Sequence, residues 1–430
     1  MHQHTSAAGD SSVEQHTAHI ADLLEPALFG LGRETVALAD ALGRITAAPI
    51  ASPVDLPLFR NSQMDGFAVH HADLAEIPVT LPIVGEVAAR PGTPAPLAPG
   101  TTVRIMTGAV VPEGADAIVP VEDTVVHGSS TGPVLVIREA IAGDAAAADA
   151  PLIVGETVTI GRGRSLGEFV RDRGSDAAAG DELLPAGTRL ASRHLAALAA
   201  AGLSSVEVMT RPRVAVITTG AELIAPGQSP APGQIFDANA VALAAAIPAC
   251  GAVLASTHRV VDDPDAMLAA LEEAAASADL IVTSGGISMG DHEVVRETLG
   301  PLGASVGHIA MQPGGPQATA VFRGVPVVCF PGNPVSTQIS FEVFLAPLLR
   351  ARAGLPPAAR TTRVLDADLR SVPGKRQFLR GRLVAGDHVA TVSGPGSHLV
   401  AGLAAADVLI DVPAHVTDLK EGDTVETVQL

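Results

Sequence analysis

The spacing of apolar residues changes several times along this chain, and each change predicts a different kind of structure. Between residues 213 and 349, short apolar β-branched runs alternate with helix-compatible segments. This alternation is typical of a doubly wound parallel sheet with helices on both faces. Residues 78–160, with a strand expected at 134–138, and the residues after 357 carry short strand-like runs broken by glycine and proline. These two stretches predict small β domains.

The first fifty residues carry two helical patterns. A helix is predicted to begin at Ser12, because Gln15 stands three residues later as in a capping box, and to end at Pro26. A second, shorter helix is predicted over residues 34–42 and closed by Gly43.

Polar residues and glycines directly follow four of the predicted parallel strands. The carboxyl ends of neighbouring parallel strands share one edge of a sheet, where the ligands of such folds bind. The segments concerned are 218–222, 262–263, 284–286 and 331–336. Taken singly, each is explained equally well as a tight connection that binds nothing. Together they predict one site for an anion and a hard cation such as Mg²⁺, because glycine turns expose backbone N–H groups and carboxylates ligate Mg²⁺.

Four further regions combine charge or polar residues with turn signals. Asp65 and Gly66 form a turn before a predicted strand, and Thr107 lies in a turn-rich loop. Residues 169–176 hold two arginines and two aspartates around a glycine, and residues 375–382 form the densest basic run. The plain explanations are a hairpin turn, a solvated loop and a solvated strand face. In an acidic chain, the basic run is also the best candidate for contact with an anion.

Composition narrows the classes of function. The formal charge is −19 over 430 residues, and aromatic residues make up 2% with no Trp or Tyr. Both features argue against nucleic-acid binding, which needs basic surfaces and stacking platforms. The sequence has no apolar run long enough to span a bilayer and no signal-peptide pattern at its start, so a cytoplasmic protein is expected. Cys250 and Cys329 lie in apolar segments, which predicts buried thiols and no disulfide.

The order and spacing of these motifs resemble the MoeA proteins, which are molybdopterin molybdenumtransferases related to the C-terminal part of gephyrin. The resemblance extends over nearly the whole chain. The matching segments are 61–68, 106–109 with 112–116, 171–176, 219–223, 284–290, 331–336 and 396–398. Several short motifs in one order are far more specific than any one of them.

The resemblance implies a multidomain fold of α/β and β parts. A discontinuous helical and linker domain would comprise residues 1–52 and 165–208, and a β-rich insert domain residues 53–164. Residues 209–356 would form the central α/β molybdopterin-binding domain, similar to the partner adenylyltransferase. Residues 357–430 would form a small β-barrel-like domain. The chain would be a homodimer whose active site lies between the α/β domain of one subunit and the Asp65 motif of the other.

The implied reaction is a step of molybdenum cofactor synthesis. Adenylated molybdopterin and molybdate would be the substrates, and with Mg²⁺ the enzyme would hydrolyse the adenylate, insert molybdenum into the dithiolene and release AMP. Molybdopterin adenylyltransferase and proteins of molybdoenzyme maturation would be partners, whereas nucleic acid and membranes would not.

The resemblance also assigns roles to residues. The catalytic carboxylates would be Asp65, Asp176, Glu222, Asp262 and Glu293, of which Glu222, Asp262 and Glu293 would ligate Mg²⁺. Substrate and anion would be bound by Thr107, Arg171, Ser284, Gly285, Gly286, Ser288, Pro331, Pro334, Arg376, Arg380 and Ser397. Whether Lys375 or Arg376 occupies the family position is open.

Two departures from the family pattern leave alternatives open. Glu293 stands where the family usually has an aspartate, and its carboxylate reaches one methylene further. His308, Gln312 and Gly315 stand where many members have lysines, so three positive charges near a polyphosphate are missing. A catalytically impaired paralogue that acts as a molybdopterin-binding scaffold is therefore one alternative. A molybdopterin adenylyltransferase is another, which the Asp65 and Asp176 motifs argue against.

Overall fold

The fold is that of a computed structural model, which describes residues 11–128, 155–287 and 293–430. The strand expected at 134–138, Ser288 and Asp291 lie outside the described residues. Among the described residues, no helix is long and apolar enough to cross a membrane. Cys250 and Cys329 are buried free thiols, as predicted.

A six-stranded sheet forms the centre of the molecule. Its strands, in spatial order, are Val253–Val260, Arg213–Thr219, Leu280–Ser284, Val325–Phe330, Pro316–Phe322 and Ser305–His308. The first four are mutually parallel, as predicted. Pro316–Phe322 is antiparallel to both of its neighbours, Val325–Phe330 and Ser305–His308, so the expectation of a wholly parallel sheet was wrong. Only two residues connect Phe322 to Val325, and such a short turn joins antiparallel strands only.

Helices cover both faces of this sheet. They are Ala238–Ala249, Pro264–Ser277, Val294–Leu299 and a continuous run of Pro334–Ser340, Phe341–Leu345 and Ala346–Arg352. Alternate residues of each strand enter opposite cores, because successive strand side chains point to opposite faces. Val214 and Val216 pack into one core, and Ala215 and Ile217 into the other.

The N-terminal helix, Val13–Phe29, packs on this central region. Its capping box is present as predicted, with Ser12 Oγ accepting from the backbone N–H of Gln15. Pro26 lies inside the helix and does not end it, because the helix closes with a bond from the Gly30 N–H to the Pro26 carbonyl. Ile20, Leu24 and Leu28 join the core of one sheet face.

The helix predicted over residues 34–42 is wrong in its first half. Arg33–Ala37 is a strand that pairs with Ser205–Met209, and only Leu38–Asp40 form a short 3₁₀ turn. The β-branched Thr35 and Val36 favour a strand once a partner is available. That partner lies about 170 residues away in the chain, which local periodicity does not reveal. The same region contains the pair Ile50–Ala51 with Glu182–Leu184 and the helix Ser192–Ala200.

Two further sheets flank the centre. The β-rich region has strands in the order Ala117–Pro120, Gly66–Val69, Thr102–Ile105, Val79–Val87, Thr157–Ile160 and Thr124–His127. A two-stranded ladder of Asn61–Ser62 with Val170–Arg171 adjoins it. These strands follow the predicted β pattern, whereas the domain boundaries stay predictions.

The C-terminal strands close into a barrel-like sheet, as expected. They are Arg360–Leu365, Arg376–Leu383, His388–Thr391, Val408–Val412 and Thr424–Gln429. Closure comes from the pairing of Arg376–Leu383 with both His388–Thr391 and Val408–Val412. A minor ladder, Leu369–Arg370 with Asp418–Leu419, and the helix Val400–Ala404 complete this part.

Candidate functional site

The ends of the four parallel strands meet at one edge of the central sheet. Thr218 lies opposite Ser284, Ser284 lies opposite Phe330, and Thr219 lies opposite Val260. The predicted segments 218–222, 262–263, 284–286 and 331–336 therefore leave the sheet side by side. We call this edge the strand-end site.

Ser284 is the centre of a buried hydrogen-bond network at this site. Its Oγ accepts from the side-chain amide of Asn239 at 2.9 Å and lies 3.0 Å from Thr337 Oγ1. The Asn239 amide also donates to the Gly332 carbonyl at 2.7 Å, and Thr337 donates to the Pro331 carbonyl at 2.6 Å. The network ties the third strand end to the fourth, so both loops hold fixed positions.

Gly285 and Gly286 have backbone conformations and neighbours that exclude a side chain. Their φ angles are +99° and +67°, a region that favours glycine. A Cβ on Gly285 would lie 2.7 Å from the Thr219 carbonyl oxygen, and one on Gly286 would lie 2.8 Å from Val295 Cγ2. The turn therefore packs its backbone directly against the next strand end. A glycine turn at this place suits the close approach of a phosphate group.

Two of the predicted carboxylates lie beside the first two strand ends. Asp262 Oδ2 accepts from the Ala221 N–H at 3.1 Å, which joins both loops. The carboxylate of Glu222 lies close to Gly220, where an added Cβ would be 2.7 Å from Glu222 Oε2. Both side chains are exposed. Neither has a cationic partner in the part of the chain that the structure describes.

The third predicted metal ligand, Glu293, immediately precedes the helix Val294–Leu299. Its side chain forms no capping bond with that helix, and the residue is half-buried. Within residues 11–128, 155–287 and 293–430, no three side chains of His, Cys, Asp or Glu form a group that could hold a metal ion. A Mg²⁺ site at Glu222, Asp262 and Glu293 therefore stays a prediction.

The C-terminal barrel contributes a loop to the fourth strand end. The Ser397 carbonyl accepts from the Val335 N–H at 3.1 Å, at the start of the helix that begins with Pro334. In the same loop, Ser393 Oγ accepts from Arg380 Nε at 3.2 Å, and the Gly394 carbonyl accepts from the other side of that guanidinium. Ser397, Pro331 and Pro334 are thus brought together, and Arg380 holds the loop.

Arg380 is a buried cation that has no carboxylate partner in the described residues. It is 1% exposed, and its Nη1 has no hydrogen-bond partner. Burial lowers the pKa of this arginine. Because an unpaired buried charge is costly, this guanidinium is suited to meeting an anion.

Arg376 is engaged in ion pairs. It forms a bidentate pair with Asp411, with both distances at 2.7 Å, and it also contacts Glu14 of the N-terminal helix. These carboxylates raise the pKa of Arg376, Asp411 most of all. The structure therefore gives Arg376 a structural role in joining the first helix to the barrel, and its predicted contact with an anion is untested.

Asp65 and Thr107 form a second group, in the β-rich region. Asp65 Oδ1 accepts from the Thr107 N–H at 2.6 Å and from its hydroxyl at 2.8 Å. The bond from the Thr107 N–H, and to a smaller extent the bond from its hydroxyl, lower the pKa of this exposed carboxyl. It therefore stays ionised in mild acid. A Cβ on the adjacent Gly66 would lie 2.1 Å from the Val119 carbonyl oxygen, so the turn leaves room for glycine alone.

Arg171 lies near this second group through the ladder that pairs it with Asn61. Arg171 Nη1 donates to Asn61 Oδ1 at 3.4 Å, and the exposed Asp176 is fixed through its backbone N–H, which donates to the Leu56 carbonyl at 2.9 Å. In the portion of one chain that is described, no hydrogen bond or ion pair joins this group to the strand-end site.

Sequence reasoning missed the side chains that support the strand-end site. Asn239 was given no role at the site, and it lies in the first turn of the helix Ala238–Ala249, which Asp237 caps by accepting from the Ala240 N–H at 3.0 Å. Thr219 fell within the segment 218–222 and Thr337 directly after the segment 331–336, and neither was given a role of its own at the site. A signal did exist for Asn239, because it is a polar residue in the first turn of the otherwise apolar helix Ala238–Ala249.

Three protein-family models match most of the chain. Residues 11–202 match the MoeA N-terminal region, described as domains I and II. Residues 215–351 match a probable molybdopterin binding domain, and residues 362–430 match the MoeA C-terminal region, described as domain IV.

Known proteins are similar to this chain over most of their own lengths. Molybdopterin molybdenumtransferase 2 of Mycobacterium tuberculosis is 38% identical over 96% of this chain and 97% of its own. Molybdopterin molybdenumtransferase of Nostoc sp. is 35% identical over 92% of this chain and 88% of its own. The crystal structure of a molybdopterin biosynthesis MoeA protein from Pyrococcus horikoshii has a TM-score of 0.74 at 32% identity, covering 95% of this chain and 98% of that one.

Proposed function

This chain belongs to the MoeA family, and on that basis we propose that it is a molybdopterin molybdenumtransferase of molybdenum cofactor biosynthesis. The substrates would be adenylated molybdopterin and molybdate, and AMP would be the second product. The observation that carries this proposal is the strand-end site, where four strand ends, a glycine turn and the buried Asn239–Ser284–Thr337 network meet.

The glycine turn supports binding of the phosphate groups. Gly285 and Gly286 let the turn pack closely against Thr219 and Val295. The Gly285 N–H donates to the Phe330 carbonyl at 3.1 Å, so the N–H groups that follow it in the turn would meet the anion. The Asn239 amide holds Ser284 and the Gly332 carbonyl in place through its two hydrogen bonds. Binding of a pyrophosphate would therefore need little rearrangement, which is how rigid sites conserve binding energy.

The exposed carboxylates support Mg²⁺ as the metal. Oxygen donors are what Mg²⁺ prefers, and Asp262 and Glu222 lie at adjacent strand ends without cationic partners among the described residues. Glu293 would complete the predicted set. Mg²⁺ bound here would neutralise part of the phosphate charge. Asp262 would also keep the loop of Ala221 in position through its present hydrogen bond.

The loop beside Arg380 supports binding of molybdate. Molybdate is a dianion, and Arg380 offers a buried guanidinium with one nitrogen that lacks a partner. Ser397 lies in the same loop, against the helix that begins at Pro334. The loop thus joins a candidate anion site to the fourth strand end.

The Asp65 group fits a dimeric active site. Asp65 is exposed and ionised, and it has no bond to the strand-end site within the described part of one chain. We therefore propose that the Asp65, Thr107, Arg171 and Asp176 group completes the strand-end site of a second copy in a homodimer.

The test supplies purified protein with adenylated molybdopterin, molybdate and Mg²⁺ and measures AMP and active cofactor. Asp262→Ala is expected to lower the rate of AMP release at least tenfold. The control is Asp265→Ala, three residues away on an exposed helix turn, which should leave the rate unchanged. Unchanged AMP release in Asp262→Ala would remove this carboxylate from the mechanism.

The same assay separates the alternatives. A protein that binds adenylated molybdopterin but releases neither AMP nor cofactor under all conditions would be a scaffold. A protein that forms adenylated molybdopterin from ATP and molybdopterin would be an adenylyltransferase. Glu293→Asp is expected to keep or raise the activity, because it restores the residue that the family usually has at this position.

A further inference from the structure

Three arginines lie together at the linker between the N-terminal and central regions, residues 209–212. Arg44 comes from the N-terminal region, Arg211 from the linker itself and Arg352 from the last helix of the central region. All three line one small pocket that is partly open to solvent. The guanidinium of a fourth arginine, Arg189, lies against Gly43 at the edge of the same pocket.

Arg44 and Arg352 are more than nine-tenths buried, and both donate hydrogen bonds to backbone carbonyls of the linker. Arg44 Nη2 donates to the Met209 carbonyl at 2.9 Å, and Arg352 Nη2 donates to the Thr210 carbonyl at 2.6 Å. Arg44 is 8% exposed and Arg352 is 7% exposed. Arg352 also donates through Nε to the Leu28 carbonyl, and its neutral carbonyl partners leave its positive charge without compensation.

Negative charge is scarce around this pocket. The carboxylate that opposes the arginines is Glu34, which contacts Arg44 Nη2 and is 45% exposed. Arg44 Nε is buried and has no hydrogen-bond partner. Arg211 is half-buried and makes no hydrogen bond or ion pair among the described residues. Burial and the neighbouring Arg44 lower the pKa values of both Arg211 and Arg352.

We infer that Arg44, Arg211 and Arg352 form a binding site for a tetrahedral dianion, the chemical class of phosphate and sulfate. Three guanidinium groups against one carboxylate leave an excess of about two positive charges, which a dianion balances. The planar fork of a guanidinium matches the oxygens of such an anion.

A bound dianion would contact both regions and the linker between them. Arg44 and Arg352 belong to different regions and already hold the same linker, so the anion would add a third bridge. A ligand that binds the folded state alone raises its thermal stability. This site lies away from the strand-end site, and its occupancy can be measured without any assay of cofactor synthesis.

The test titrates the full-length protein calorimetrically with phosphate, sulfate and molybdate at constant ionic strength, with chloride as the monovalent control. Saturable binding of the tetrahedral dianions is expected, accompanied by an increase in melting temperature at millimolar concentration. No saturable binding of any of them, or equal competition by chloride, would overturn the assignment. Comparison of the three dianions identifies which one the site prefers.

Two substitutions move the affinity in opposite directions. Arg211→Gln removes a charge without removing a hydrogen bond, so the protein should fold and its affinity for sulfate should fall at least tenfold. Glu34→Gln removes the competing carboxylate and should raise that affinity severalfold. The exposed Arg193→Gln is the matched control and should bind as the unaltered protein does. Equal sulfate affinity in Arg211→Gln and Arg193→Gln would show that the anion binds elsewhere.

Discussion

The side-chain amide of Asn239 donates to Ser284 Oγ across 2.9 Å, from the first turn of one helix to the end of a neighbouring strand. Both residues are buried, at 9% and 2% exposure. The same amide donates to the Gly332 carbonyl. One side chain thus sets the separation of the two loops that form the strand-end site.

Asn239→Leu is expected to destabilise the protein by about 1–3 kcal/mol, because Ser284 Oγ and the Gly332 carbonyl lose a buried donor. Denaturant unfolding measures the change. The control is Asn333→Ala, because Asn333 precedes a helix without a side-chain capping bond and its loss should be nearly neutral. Equal effects of the two substitutions would contradict the role given to Asn239.

Gly66→Ala is expected to cost about 3 kcal/mol or to prevent folding of the β-rich region. Its Cβ would lie 2.1 Å from the Val119 carbonyl oxygen, and the backbone of the paired strand would have to move. Gly85→Ala in the strand Val79–Val87 is the matched control, since its Cβ would meet Val103 Cγ1 at an ordinary 3.9 Å. The melting temperatures of the two variants should differ by several degrees. A Gly66 variant as stable as the Gly85 variant would refute this packing argument.

Asp65→Asn should show whether the negative charge of Asp65 is needed for activity, separately from its hydrogen bonds to Thr107. The amide oxygen of asparagine can still accept from the Thr107 N–H and hydroxyl, so the melting temperature should stay within about 1–2 °C of the original. AMP release should fall at least tenfold if the ionised carboxylate acts in the reaction. Mixing Asp65→Asn with Asp262→Ala tests the proposed homodimer, because mixed dimers would regain one intact site. No recovery of activity on mixing would argue against a site shared between subunits.

His16 is expected to make the protein less stable as the pH falls from 6.5 to 4. Burial, and then the charge of His19, lower the pKa of His16 from 6.5 to about 4. The unfolded chain therefore binds a proton in this window that the folded chain does not, and stability present above pH 6.5 is lost toward pH 4. The effect amounts to at most about 3 kcal/mol.

His16→Leu should flatten this pH dependence, because leucine fills the buried position beside Phe344 and does not titrate. Urea unfolding at pH 4.5, 5.5 and 6.5 measures it. The exposed His415→Leu is the control and should follow the unaltered protein. An unchanged slope in His16→Leu would assign the pH dependence to other groups.

The strand-end site could be predicted from the sequence because its signals are local. Three of the four strands are short apolar runs that stop at glycine or at a Pro-Gly pair, and the fourth ends shortly before Asp262. Parallel strands align their ends. The orientation of Pro316–Phe322 was missed because the parallel pattern was extended past a two-residue turn. The strand Arg33–Ala37 was missed because its partner, Ser205–Met209, lies far away in the chain. Asn239 was undervalued because hydrogen bonds across loops leave no periodic pattern.

The contact between Arg376 and Glu14 joins residues that are 362 positions apart in the chain. His16 likewise packs against the ring of Phe344, which is made near the end of synthesis. At about 5–20 residues per second, a ribosome needs roughly 20–70 s to produce the partners of the first helix. Until then, the face that holds Ile20, Leu24 and Leu28 has no core to enter. The helix Val13–Phe29 therefore docks long after it is synthesised, and until then the nascent chain exposes an apolar stripe on which a chaperone can act.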